Sequence, residues 1–143
     1  MRETSLYDYA VIRVVPNVER GECLNVGVVL YSPTRRFLGA LVHLDEERLR
    51  ALAPQLDFPA LQEQLDHFVQ VCYGKKNSGP VGQLSQSERF HWLVAPRSTI
   101  IQTSSVHSGS CSDLQAELQS LLNKLVLVTK YQDASESDKA NTF

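Results

Sequence analysis

The chain reads as one α+β domain over residues 1–131, an antiparallel sheet of three to four strands packed with about three helices, with a disordered tail at 132–143. Three observations predict this. The first third of the chain holds three runs rich in β-branched and aromatic residues, separated by short turns. Later stretches place leucine and phenylalanine at helical spacing. A length of 143 residues with 43% hydrophobic and 21% charged residues suits one soluble core.

Tyr7 to Val15 has two apolar faces, Ala10, Ile12 and Val14 against Tyr9, Val11 and Val15. That pattern belongs to a strand covered on both sides. Pro16 ends it, and Asn17 to Glu22 is a polar turn. Cys23 to Tyr31 predicts a second strand, with Leu24, Val26, Val28 and Leu30 on one face and Asn25 and Gly27 on the other. Gly27 marks a bulge or a close approach by another element. Ser32 to Arg35 is a hairpin connection. Phe37 to Leu44 returns as the third strand of an antiparallel meander.

Asp45 is a natural helix N-cap, with Glu46 and Glu47 at the positive end of the dipole. This helix is short because Pro54 restricts Ala53. A second helix is predicted from Phe58 to Tyr73, its core face formed by Phe58, Leu61, Leu65, Phe68, Val69 and Cys72, with Gly74 as its stop. Lys75 to Ser87 is rich in Gly, Ser and Gln and reads as a mobile connector. A strand is expected at Thr99 to Thr103. Ser112 to Gln115 fits a capping box opening a third helix, where Leu114, Leu118, Leu121, Leu122 and Leu125 share a stripe.

A formal net charge of -2 offers no basic field for nucleic acid or anionic lipid. No apolar run reaches membrane-spanning length, and the first residues lack the apolar core of a secretory signal. Cys23, Cys72 and Cys111 are odd in number and scattered, so they read as small buried hydrophobes in a reducing cytoplasmic setting.

The segment from Arg89 to Gly109 carries the only tryptophan, two histidines, two arginines and many hydroxyls. Ser104 or Ser105 with His107 and Asp113 could supply a hydrolase triad, but no Gly-x-Ser-x-Gly elbow presents the serine. Cys111 with His107 is open to a similar objection. The better reading is that these hydroxyls satisfy buried backbone. His91, His107 and Cys111 match no common zinc spacing, so neither metal nor cofactor is expected. Arg97-Ser98-Thr99 offers a planar guanidinium, two hydroxyls and backbone N–H groups after Pro96, with Arg89, Gln102 and His107 able to converge beside it. Such a set suits a phosphate or carboxylate. The alternative is that Arg97 bridges backbone carbonyls, or a carboxylate such as Glu22, inside the fold.

Tyr7-Asp8-Tyr9-Ala10-Val11-Ile12-Arg13-Val14-Val15-Pro16, followed by Arg20-Gly21-Glu22 and Leu24-Asn25-Val26-Gly27-Val28-Val29-Leu30, resembles the opening of a bacterial family, domain of unknown function 3037. Phe90-His91-Trp92-Leu93, Ala95-Pro96-Arg97-Ser98-Thr99, Gln102-Thr103-Ser104 and Val106-His107-Ser108-Gly109 resemble its second signature block. Cys23 stands where relatives tend to carry an aromatic residue, and Ser105 where proline is common. The resemblance implies no established activity. It implies a protein partner, a kinase-like protein related to HipA, and hence an accessory role. The leading expectation is therefore a non-catalytic binding module whose recognition surface draws on Arg89, His91, Arg97, Ser98, Thr99, Gln102, Ser104 and His107. The competing expectation is an enzyme or binder for a phosphate-bearing or nucleic-acid ligand, with Arg97 as anion clamp and His107 as acid/base.

Overall fold

The computed structural model describes residues 3–128, so the tail expected at 132–143 lies outside the described residues. The elements run β1 (Ser5–Val14), β2 (Leu24–Ser32), β3 (Phe37–Val42), α1 (Glu46–Leu52), α2 (Phe58–Cys72), α3 (Gln86–Leu93), β4 (Ile101–Thr103), β5 (His107–Cys111) and α4 (Leu114–Leu125). β1 pairs antiparallel with β2, and β2 with β3, which is the expected meander. The other edge of β1 carries two strands in line: β4 lies opposite Ile12 to Val14, and β5 opposite Ser5 to Tyr9. β1 is therefore central, as its two apolar faces require.

The described residues form five strands and four helices, against the three to four strands and three helices that the pattern predicts. The extra strand is β5, His-Ser-Gly-Ser-Cys, whose composition has no apolar alternation; pairing with β1 holds it extended. The extra helix is α3. Ser85 accepts from the Glu88 N–H at 3.2 Å, and the Glu88 carboxylate accepts from the Ser85 N–H at 3.4 Å, a capping box that begins inside the stretch read as a connector. The rest of that connector is pinned, with a 3-10 turn at Val81–Gln83 and Ser78 buried and donating to the Lys75 carbonyl. At the last helix Asp113, not Ser112, is the N-cap and accepts from the Ala116 N–H at 3.0 Å.

β2 does not keep one apolar face along its length. Its register passes from Ile12 opposite Gly27 to Arg13 opposite Asn25, leaving Val26 as the extra residue of a bulge. The bulge reverses the alternation. Leu24 and Val26 join Val29 and Tyr31 in one core, whereas Val28 and Leu30 face the other. The first core gathers Ala10, Ile12 and Val14 with Leu49 of α1, Phe58, Leu61, Leu65 and Phe68 of α2, and Phe90 and Leu93 of α3. The second packs Tyr7, Val28 and Leu30 under Leu118, Leu121 and Leu122 of α4. The sheet is thus the middle of three layers, and each large side chain buried there contributes about 1.5–3 kcal/mol.

Gly27 holds both roles foreseen for it, beside the bulge and under a close neighbour. A Cβ there would stand 2.6 Å from the Leu41 carbonyl oxygen and 2.8 Å from Val42 Cγ1. The oxygen belongs to the β2–β3 ladder and cannot rotate away. Gly27→Ala is expected to destabilise the domain by about 1–3 kcal/mol, read as a lower denaturation midpoint with an unchanged slope. A variant as stable as the parent would show that β3 gives way freely.

Candidate functional site

Trp92 ends the polar side of α3 and is 41% exposed, a large value for the chain's single tryptophan. After Pro96 the chain turns back, and Arg97 closes on the helix end. Its Nε donates to the Ala95 carbonyl at 3.3 Å, Nη2 donates to the Trp92 carbonyl, and the guanidinium carbon lies 4.7 Å above the Trp92 ring. Backbone acceptors and ring quadrupole together hold the cation in one place.

Between this clasp and α2 opens a cleft of about 650 Å³. α2 lines it with Glu63, Asp66, His67 and Phe68, and the opposite wall is Trp92, Arg97, Thr99 and Ile101. The core face of α2 is spent on Leu61, Leu65 and Phe68, so the residues at helical spacing on its other side point outward. Two carboxylates, Glu63 and Asp66, therefore share the cleft with the guanidinium of Arg97.

Of the residues singled out from sequence, Arg97 and Thr99 meet in this cleft, with Ser98 exposed between them. Thr99 Oγ1 donates to the Ile101 carbonyl at 2.9 Å, and Gln102 Nε2 donates to the Thr99 carbonyl at 2.9 Å. Arg89 lies elsewhere, donating to the Leu84 carbonyl just ahead of α3 and to the Cys72 carbonyl at the C-terminal end of α2. There it meets the negative end of the helix dipole. The His91 Nδ1 lies 2.6 Å from the Ser87 carbonyl, one turn earlier in its own helix. Ser104 is buried in the sheet, accepting the Val11 N–H at 2.8 Å and donating to the Ser105 carbonyl. His107 stacks on Tyr9, 5.4 Å between ring centroids, on the α4 side of the sheet. The convergence of Arg89, Gln102 and His107 on Arg97 does not form, because the sheet separates His107 from the cleft. Glu22 pairs with Arg20 at 2.5 Å instead of with Arg97.

Sequence reasoning missed the α2 wall. Glu63, Asp66, His67 and Gln70 stand at i, i+3, i+4 and i+7, one face of a helix, which was the available signal. Helix polar faces are ordinarily just solvated, so only the facing loop makes this one a wall.

Among the described residues, no group of three His, Cys, Asp or Glu side chains is placed to hold a metal ion. The cysteines differ from one another. Cys72 is buried and Cys111 half-buried, but Cys23 is exposed, because β2 begins only at Leu24 and the residue falls outside the ladder. Burial pushes the Cys72 thiol up to about 12, partly opposed by Arg89. Burial likewise raises Cys111, and Glu117 adds to it. Tyr7 is raised first by burial, then by its hydrogen bond to the Glu117 carboxylate at 2.8 Å.

The molecule is thus a three-layer α+β domain with a mixed-charge cleft beside the edge of its sheet. The profile of the family described as "Protein of unknown function (DUF3037)" matches residues 9–126, and the chain belongs to that family. Neither the curated proteins nor the solved structures contain a match to it. No helix among the described residues is long and apolar enough to cross a membrane.

The raised Cys72 thiol has a consequence for stability. Above its ordinary value of 9.0 the unfolded chain releases a proton that the folded chain keeps up to about 12. The unfolded state then binds fewer protons, so stability falls with rising pH. The thiol's contribution is whole below pH 9 and lost progressively between 9 and 12, where Tyr7 acts in the same direction. The unfolding free energy should decline across that window, and less steeply in Cys72→Ala. An unchanged slope in the variant would exclude Cys72 as a source.

Proposed function

We propose that this protein is a non-catalytic binding module that acts through a partner protein and receives a segment of that partner in the cleft between α2 and the α3–β4 loop. The observation that carries the reading is the half-exposed Trp92, clasped by Arg97 and facing the acidic wall of α2. Aromatic and arginine side chains held rigid beside a concavity are the usual anchors of protein recognition. Arg97, Ser98 and Thr99 form the rim of the surface, and Glu63 and Asp66 its charged wall. The kinase-like protein related to HipA, implied by the family resemblance, is the first partner to test.

A phosphate-bearing ligand is the weaker reading. The Arg97 fork already spends Nε and Nη2 on carbonyls, and two carboxylates share its cleft. His107, the acid/base that such a reading needs, stands on the other side of the sheet.

Trp92 is the only tryptophan, so its emission reports on the cleft directly. Titrating the full chain with the candidate kinase should move that emission to shorter wavelength, while inorganic phosphate should leave it unchanged. Arg97→Lys is expected to loosen the partner at least about tenfold, since Lys lacks the planar fork. Unfolding measured on the same variant separates recognition from internal bridging. Parent-like binding with a loss of about 1–3 kcal/mol in stability would show that Arg97 serves the fold alone. A response to phosphate in place of protein would favour the anion reading.

A further inference from the structure

The edges of the sheet are finished differently. Along β3 the Tyr73 hydroxyl accepts from the Ala40 N–H at 3.2 Å and donates to the Ala40 carbonyl at 3.1 Å, closing that edge at its middle. β4 is three residues long, and Thr99 takes up the carbonyl of Ile101. β5 has no such cover among the described residues.

Its outward groups follow from the ladder. The Val15 N–H bonds the Ile100 carbonyl at 2.7 Å, and the Ser104 N–H bonds the Val11 carbonyl at 2.8 Å. β1 therefore turns the backbone of its odd-numbered residues to this edge. Opposite Tyr9, Tyr7 and Ser5, the backbone groups of His107, Gly109 and Cys111 point inward. Those of Ser108 and Ser110 point outward. The Ser108 side chain does not shield them, because its hydroxyl donates to Asp8. Natural edge strands are blunted by lysine, proline or inward charge. β5 contains none of these, and beside it Leu6 on β1 is 73% exposed.

We propose that a second copy of this chain joins at β5, by antiparallel pairing about a twofold axis through Gly109. Ser108 of each copy then stands opposite Ser110 of the other, and every outward N–H and C=O of the two residues gains a partner. The strip carries no fixed charge, so the twofold arrangement brings no like charges together. Gly109 keeps the centre of the contact flat, since the Tyr7 ring already occupies the space over it. With β3 closed by Tyr73, growth stops at two copies, as an isologous contact requires.

Sedimentation equilibrium of the full chain across a range of concentrations tests this, together with amide hydrogen exchange. The parent should sediment at twice the mass of one chain and dissociate on dilution, with the Ser108 and Ser110 amides protected only in the dimer. Ser110→Pro removes an outward donor and should sediment as one chain with its fold retained; Ser110→Ala keeps the donor and should remain a dimer. A parent that sediments as one chain at every concentration overturns the proposal. So does a dimer that persists in Ser110→Pro, since its interface lies elsewhere. Should Ser110→Pro fail to fold, exchange on the parent decides: freely exchanging Ser108 and Ser110 amides in the dimer overturn the proposal. Protection of those amides in a species of one-chain mass would place the chain's own C-terminal segment on the edge, and would overturn it equally.

Discussion

The second edge of β1 is held at Ser104. Its N–H donates to the Val11 carbonyl, and its hydroxyl, in place of a backbone carbonyl, accepts the Val11 N–H. Between the pair Ile12 with Thr103 and the pair Tyr9 with His107, β1 spends residues 10 and 11 while the opposing chain spends residues 104 to 106. Without the hydroxyl, the extra residue would leave a buried N–H without a partner, a defect that costs about 1–3 kcal/mol. With it, β4 and β5 serve as one interrupted edge. β1 thus runs unbroken between neighbours that each carry an extra residue, Val26 on one side and the Ser104 turn on the other.

The cleft depends on that edge. β4 is anchored to Ile12, Arg13 and Val14, and Thr103 Oγ1 donates to the Val94 carbonyl at the end of α3. Leu93 is buried in the core, so the loop from Val94 to Ile100 is tied at both ends to packed elements. Its return brings Arg97 over Trp92. α2, with one face committed to the same core, faces this loop with its carboxylates. Neither wall is built for the cleft alone; each is the outward side of an element fixed by burial.

The bulge at Val26 has a comparable reach. By reversing the alternation of β2 it lets one strand supply apolar side chains to both cores, so α4 can close the face opposite α1 to α3. Gly27 allows β3 to approach at that point, and the Leu41 carbonyl occupies the space a side chain would need.

The sequence by itself determined the meander, the cap at Asp45, the core face of α2 and the leucine stripe of α4, because burial and capping leave periodic or local marks. Within the candidate site, it marked out Arg97 and Thr99 but not the wall opposite them. Tertiary structure alone decided the rest. β5 is extended because β1 lies beside it, and nothing in His-Ser-Gly-Ser-Cys requires that locally. The face that Val28 and Leu30 occupy depends on a register shift, which is a property of two strands together. Arg97 and His107, ten residues apart in the chain, lie on opposite sides of the sheet because the edge strand runs between them, a separation that spacing along the chain cannot express.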